Sequence, residues 1–339
     1  MKYKECFLND ETCKPINKET GRPKIKEAHI LSRSATMKQL CRNVNGQMEV
    51  YNAATKKSEG WKKASAYYCF CGNHDTEIFK PIENDNPFDP LNKEQLFVHT
   101  LRSFAYEYHH KRIELDSKLP VDQLSDLFSS FFKIIGKDHT SKDNVKDELK
   151  SRYDEHMYAH ERVKKELIRA YKEKDYDSLT YKTFVIDEKF VFASAGTLMA
   201  DIISPYEVNI FNHDKSESLL PRPAIILTVF PDPSKNSTNI ILACLNIDKN
   251  ALLYLNKYNS MATQDILLAI SSLMLTTNQK NTFFHPTYWE ALEKHPRKEF
   301  LYKEIQKNRG FDLLAKNVQL SEFNLFDENL IWSKIETNT

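Results

Sequence analysis

Over residues 1–90 the apolar positions come in short bursts separated by lysines and turn residues. Lys24–Leu31 (KIKEAHIL) predicts a short strand and Ser34–Asn43 a short helix. Asn45-Gly46, with Met48, Val50 and Tyr51 beyond it, predicts a tight type I′ hairpin. Pro81, Asn84, Asp85, Asn86, Pro87, Asp89 and Pro90 then form a run of breakers that predicts a boundary. The pattern turns helical after it. Leu91–Leu115 lacks Gly and Pro and places Leu96, Phe97, Thr100, Leu101, Phe104 and Tyr108 at helical spacing. Pro120 opens a second predicted helix, with Leu124, Leu127, Phe128, Phe131 and Phe132, that stops near Gly136. Ser141–Tyr176 is rich in Glu and Lys and carries Leu149, Tyr153, Met157, His160, Val163, Leu167 and Ala170 along one side. Such a seam suits an antiparallel bundle or a dimer-forming arm. Beyond it the period shortens. Lys182–Ile186, Phe190–Ser194, Ala224–Phe230 and Asn239–Leu245 are β-branched or aromatic and predict strands, while Thr263–Leu275 and Pro286–Lys307 return to helical spacing. The expected fold class is therefore α+β, in three units: residues 1–90, a helical connector over 91–178, and a sheet domain of regulatory or recognition role over 179–339.

Composition narrows the function. The chain has 339 residues, 41% of them hydrophobic, so material for a large core is present. Its 7 glycines are scattered, which excludes a G-x-G-x-x-G dinucleotide turn and a Walker-A loop, because both bring clustered backbone N–H groups onto phosphates. A G-x-S-x-G nucleophile elbow is also missing. No apolar run reaches the length of a membrane span, and Met1–Asp10 lacks the apolar centre of a signal peptide, so a cytoplasmic protein without membrane contact is expected. The net charge of +1 conceals an asymmetry: Met1–Lys63 holds 14 Lys+Arg against 7 Asp+Glu, leaving 34 against 40 for the rest. A basic N-terminal segment suits a polyanion, DNA or RNA.

Five of the six cysteines, Cys6, Cys13, Cys41, Cys69 and Cys71, fall in the first quarter of the chain. In a reducing compartment such clustering reads as metal ligation before disulfide formation. Cys6 with Cys13, and Cys71 with His74 in Cys71-Gly72-Asn73-His74, supply three thiolates and an imidazole for a structural Zn²⁺. Cys69 is not expected among the ligands, and Cys41 is expected to pack on the short helix.

Between the two pairs lies Lys26-Glu27-Ala28-His29-Ile30-Leu31-Ser32-Arg33-Ser34, and Asp75-Thr76-Glu77-Ile78-Phe79 follows the second pair directly. This layout resembles the HNH, or His-Me finger, nucleases, in which a zinc-stapled ββα unit carries a histidine at the end of its first strand. The resemblance covers roughly the first 85 residues. More narrowly, Ala28–Ser34 together with Phe70–Glu83 is similar to a group of uncharacterised bacterial and prophage proteins. The resemblance implies that His29 activates water for phosphodiester attack. It also implies that Asp75 ligates a catalytic Mg²⁺ or Mn²⁺, and that Lys24, Lys26 and Arg33 hold flanking phosphates. The family's central asparagine has three candidates, Asn43, Asn45 and Asn52. The implied function is a metal-dependent nuclease acting on DNA or RNA, in phage defence or a mobile element. The alternative is a non-catalytic zinc-containing protein that binds nucleic acid or a ligand as a sensor. A homodimer or a partner protein fits either reading.

Weaker signals remain. Asp154, His156 and His160 include an H-x-x-x-H spacing on the long helix, where a solvated face is the preferred reading. Arg102 and His109 resemble the Arg-x4–6-His pattern of HEPN-type helical ribonucleases. Phe283–Trp289 (FFHPTYW) is an aromatic cluster expected to serve packing, and Trp61, flanked by Lys62 and Lys63, reads as an exposed contact.

Overall fold

The computed structural model describes residues 5–83, 86–116, 142–199, 201–204, 207–209, 224–277, 279–295, 298–299, 301, 318–319 and 323–326. In the N-terminal part, Ile25–His29 forms β1 and a helical turn covers Arg33–Met37. Arg42–Val44 (β2) and Gln47–Asn52 (β3) make the expected hairpin, with Asn45 and Gly46 at φ 52° and 80°, the two positive values that a type I′ turn requires. Lys57–Gly60 (β4), Trp61–Ala64 (α1), Ala66–Cys71 (β5) and Gly72–Phe79 (α2) follow. β1 and β5 form a separate two-stranded antiparallel sheet, in which Ile25 lies opposite Cys71 and His29 opposite Ala66. β5 runs directly into α2, whose side chains His74, Ile78 and Phe79 are buried.

Lys93–Asp116 forms α3, started by Asn92, whose Oδ1 accepts the Gln95 N–H at 3.1 Å. This helix is buried on two sides. Phe104 and Tyr108 pack edge-on against Phe7, while His99 stacks on Phe230 of the C-terminal sheet at 4.5 Å. Lys142–Glu173 forms α4, and the helix predicted from Pro120 lies outside the described residues. In the described part of its seam, Met157, His160, Val163, Leu167 and Ala170 are buried within the chain. α4 therefore braces its own molecule there, with Arg162 ion-paired to the buried Asp248 at 2.6 Å.

The remaining strands are Leu179–Ile186 (β6), Phe192–Met199 (β7), Asp201–Ser204 (β8), Glu207–Asn209 (β9), Ala224–Pro231 (β10) and Thr238–Leu245 (β11). Lys249–Lys257 (α5), Thr263–Ser272 (α6), Thr282–Phe284 (β12), Pro286–Lys294 (α7) and Val318–Gln319 (β13) complete the order. α7 ends at Lys294; residues 298, 299 and 301 are again helical, and residues 302–307 of the predicted stretch lie outside the described residues. β10 and β11 are buried at every position, which explains their unbroken apolar sequences. The fold is mixed helix and sheet, built on an eight-stranded sheet ordered β2-β3-β12-β7-β10-β11-β6 with β4 on the far side of β3. β8, β9 and β13 form a small third sheet.

That order carries a structural consequence. β12 pairs with β7 on one side and β3 on the other, with Phe283 opposite Asn52 and Phe284 opposite Tyr51. The N-terminal hairpin is thus part of the C-terminal sheet, and the first and third expected units share one hydrogen-bonded surface. The breaker-rich stretch is a packed loop: the Gln95 side chain donates to the carbonyls of Pro81 and Pro87 and accepts from the Asp89 N–H.

Tyr51 stacks on the buried Trp289 at 4.3 Å across this joint. Trp289→Ala is expected to cost about 3–5 kcal/mol, the usual range for an aromatic-to-alanine change in a core. Urea unfolding measures the loss, and amide exchange over residues 42–52 should rise with it.

Candidate metal centre and the residues beside it

Cys6, Cys13, Cys71 and His74 are all buried, and their four ligand atoms lie within 4.8 Å of one another. His74 Nδ1 sits 3.2, 3.4 and 3.6 Å from the sulfurs of Cys6, Cys71 and Cys13. Ligands about 2.0–2.3 Å from a tetrahedral ion stand about 3.5 Å apart, so the spacing suits a metal of that kind. Two elements deliver the donors. Cys71 closes β5 and His74 lies three residues on, in the first turn of α2, while the loop from residue 5 supplies the other thiols. Cys6 Sγ also accepts the Cys71 N–H at 3.4 Å.

Burial raises the Cys6 thiol and pushes Cys13 up to about 12, so an incoming cation must displace protons from them. Burial lowers His74, which favours the neutral imidazole that ligates. Its tautomer is set from behind. Nε2 lies 2.7 Å from Thr12 Oγ1, which donates to Asp10 Oδ1 at 2.7 Å, and Asp10 Oδ2 takes Lys172 of α4 at 2.9 Å. This relay puts the proton on Nε2 and turns the Nδ1 lone pair toward the thiols. Asp10 and Thr12 were not expected from the sequence, because nothing local ties them to His74, 62 positions beyond Thr12. Cys69 faces the apolar core, and Cys41 Sγ donates to the Met37 carbonyl at 2.9 Å, so neither joins the cluster.

His29 is half-buried at the end of β1, with Nδ1 3.1 Å from Ser65 Oγ, while the Ser65 carbonyl accepts the Ile30 N–H at 3.0 Å. Asp75 lies one residue past His74, with a carboxylate oxygen 3.8 Å from the Lys26 ammonium. Burial raises the Asp75 carboxyl, Arg102 and Lys26 pull it down, and Glu83 adds to the rise. Beyond both ends, Ser32 Oγ donates to Glu83 Oε2 at 2.9 Å and Arg102 to Glu83 Oε1 at 2.5 Å. The segments that follow His29 and Asp75 are therefore tied together.

No protein family model, curated protein or solved structure matches this chain.

The other sequence-derived candidates are placed as follows. Lys24 and Lys26 are exposed, as are Lys62 and Lys63, next to the His29-contacting Ser65; the Arg33 side chain lies outside the described residues. Asn43, Asn45 and Asn52 all serve the hairpin and its joint. Asn43 accepts the Gly46 N–H, Asn45 forms the turn, and Asn52 accepts from Ala54 and Thr55 and donates to the Lys280 carbonyl. Arg102 and His109 are both buried. Arg102 pairs with Glu83, and His109 Nε2 accepts the Tyr68 N–H at 3.4 Å, so neither is presented to an RNA strand. His160 faces inward against Phe104, contrary to the expected solvated face, because its position belongs to the apolar seam; the side chains of Asp154 and His156 lie outside the described residues. Phe283, Phe284, Tyr288 and Trp289 are core residues, and Trp61 is half-buried against the core instead of exposed. Among the described residues, no helix is long and apolar enough to cross a membrane.

Two outcomes follow from this geometry. Chelator competition should show Thr12→Val weakening metal binding about 10–100-fold, the usual size of losing a group that orients a ligand. Cys71→Ser should abolish binding and unfold the β1–β5 pair, and an intact apo fold would contradict that.

His109, lowered to about 4 by burial and the nearby His110, stays neutral in the fold and titrates near 6.5 when unfolded. Its contribution to stability is complete above about pH 6.5 and is lost as pH falls toward 4, where the unfolded chain binds the extra proton. Urea midpoints at pH 7.5 and 5 should fall more in wild type than in His109→Asn. Equal slopes would show that His109 is not buried neutral.

Proposed function

We propose that the chain is a metal-dependent nuclease that cleaves phosphodiester bonds in DNA or RNA, with Zn²⁺ as its structural ion. One observation carries the reading. An antiparallel strand pair runs into a helix, with the metal cluster at the strand–helix junction, His29 ending the first strand and Asp75 in the helix's first turn. The basic N-terminal charge and the exposed Lys24, Lys26, Lys62 and Lys63 support a polyanionic substrate. In this reading His29, held through Nδ1 by Ser65, takes a proton from the attacking water. Asp75 would hold a hydrated Mg²⁺ or Mn²⁺, which would supply positive charge to the scissile phosphate and the leaving oxygen.

The donor set fits such an ion. A hydrated Mg²⁺ needs one or two carboxylates plus the substrate phosphate, and Asp75 supplies one. The rival reading is a non-catalytic zinc-containing sensor that binds nucleic acid or a ligand through the same basic face.

His29→Ala is expected to remove about 10²–10⁴ of divalent-dependent cleavage while zinc content stays intact. Asp75→Ala should lose activity that excess Mn²⁺ partly restores, whereas Mn²⁺ should not rescue His29→Ala. Cleavage that survives both substitutions at the wild-type rate would overturn the nuclease and leave the sensor.

A further inference from the structure

Arg102 reaches the candidate site from outside the strand–strand–helix unit, on α3. Arg102 is 4% exposed, and its guanidinium donates to Glu83 Oε1 and lies 4.0 Å over the Phe79 ring. A charge this deep is retained at a cost unless it is paired, and here the partner is Glu83. One donor remains over. Arg102 Nε is buried and has no hydrogen-bond partner among the described residues. Tyr67 on β5, 1% exposed, presents a hydroxyl in the same condition. Phe79 follows Asp75 by four residues on α2, so Arg102 over its ring lies about one helical turn from Asp75. Tyr67 joins the same group through Phe70, which is edge-on to both Tyr67 and Phe79, and Lys26 reaches Asp75 from the open side at 3.8 Å. A buried donor left without a partner is strongly unfavourable, so the arrangement calls for an acceptor. Asp75 is the other carboxylate of the group, its Oδ2 3.8 Å from the Lys26 ammonium, whereas Glu83 is engaged through one oxygen by Arg102 and through the other by Ser32.

We propose that Arg102 and Tyr67 are positioning residues that hold the Asp75 carboxylate in its cation-binding orientation, through a bound water that accepts from both donors. Glu83 fixes Arg102 for this task and, through Ser32, ties the segment after His29 to the same point. The role assigned to Asp75 rests on the nuclease reading. The hold on its carboxylate is a separate claim.

The test uses the full-length, zinc-loaded protein as wild type, Arg102→Lys, Arg102→Met, Tyr67→Phe and the double variant Glu83→Gln/Arg102→Met. The double variant removes both charges, so a misfolding Arg102→Met leaves the question decidable. Mn²⁺ binding is measured by electron paramagnetic resonance, and the Mn²⁺ dependence of cleavage is measured alongside it. The expected result is a 10–100-fold loss of Mn²⁺ affinity in Arg102→Met and in the double variant, with a smaller loss in Arg102→Lys and Tyr67→Phe. Apparent KM for Mn²⁺ should rise while kcat at saturating Mn²⁺ changes little, and zinc content should hold. Wild-type Mn²⁺ affinity in the folded double variant would overturn the proposal. Wild type that binds no Mn²⁺ and cleaves nothing would overturn the nuclease reading instead. Crystal structures of wild type and the double variant then decide the positioning claim: a turned Asp75 carboxylate supports it, and an unmoved one overturns it.

Discussion

Cys6 and Cys71 stand 65 positions apart, and the fold of the N-terminal part depends on bringing them together. Closing a loop of that size costs about 4 kcal/mol in chain entropy by the logarithmic rule. The β1–β5 pair cannot meet that cost alone, since a two-stranded sheet is marginal in water. A zinc ion on the three thiolates and the imidazole would contribute about 10–16 kcal/mol, the range for small domains, and so would outweigh the closure cost. The closure also brings in Phe7, the residue after Cys6, whose N–H donates to the Cys69 carbonyl at 2.7 Å and whose ring packs on Phe70, Phe104 and Tyr108. Metal cluster, strand pair and α3 are therefore one cooperative arrangement. α4 belongs to it through Lys172 on Asp10 and through the Lys164 ammonium 4.5 Å from the Tyr108 ring.

What the sequence discloses divides along the range of the interactions. β1, the Asn45-Gly46 turn, α3 and the strands β6, β7, β10 and β11 follow from local period and turn chemistry, and all lie close to where those signals put them, whereas β8 and β9 carried no such signal. The four ligands were equally legible, because thiols and an imidazole at such spacings have few other uses. The joint at β12 was not. It is three residues long, and its pairing with β3 spans more than two hundred positions, so Phe283 and Phe284 read only as an aromatic cluster. The breakers around Pro87 report local backbone preference and carry no information on whether strands on either side share a sheet. Asp10 and Thr12 acquire a role only after the loop closes on His74. Arg102 was visible as a polar residue on a helix, but its partner Glu83 lies beyond a loop, and no periodicity links the two.

The same long-range contacts decide how independent the candidate site is. Arg102 and Ser103 are neighbours on α3, about 100° apart around the helix. Arg102 turns to Glu83, whereas Ser103 Oγ lies 2.7 Å from Thr228 Oγ1 on β10. His99 and Phe104 repeat the division, one stacked on Phe230 of the sheet and the other edge-on to Phe7, beside the cysteine cluster. A helix packed on both faces at crystal-like density has little room to move against either, so a shift over the sheet displaces the side chains that face the metal loop. A unit cut at residue 90 would lose Arg102 and leave Glu83 without its cation. It would also strip Phe7, Phe70 and Phe79 of the helix that covers them, and part β3 from β12. The strand–strand–helix unit contains the candidate chemistry, but α3 and the sheet beneath it determine whether that unit keeps its shape.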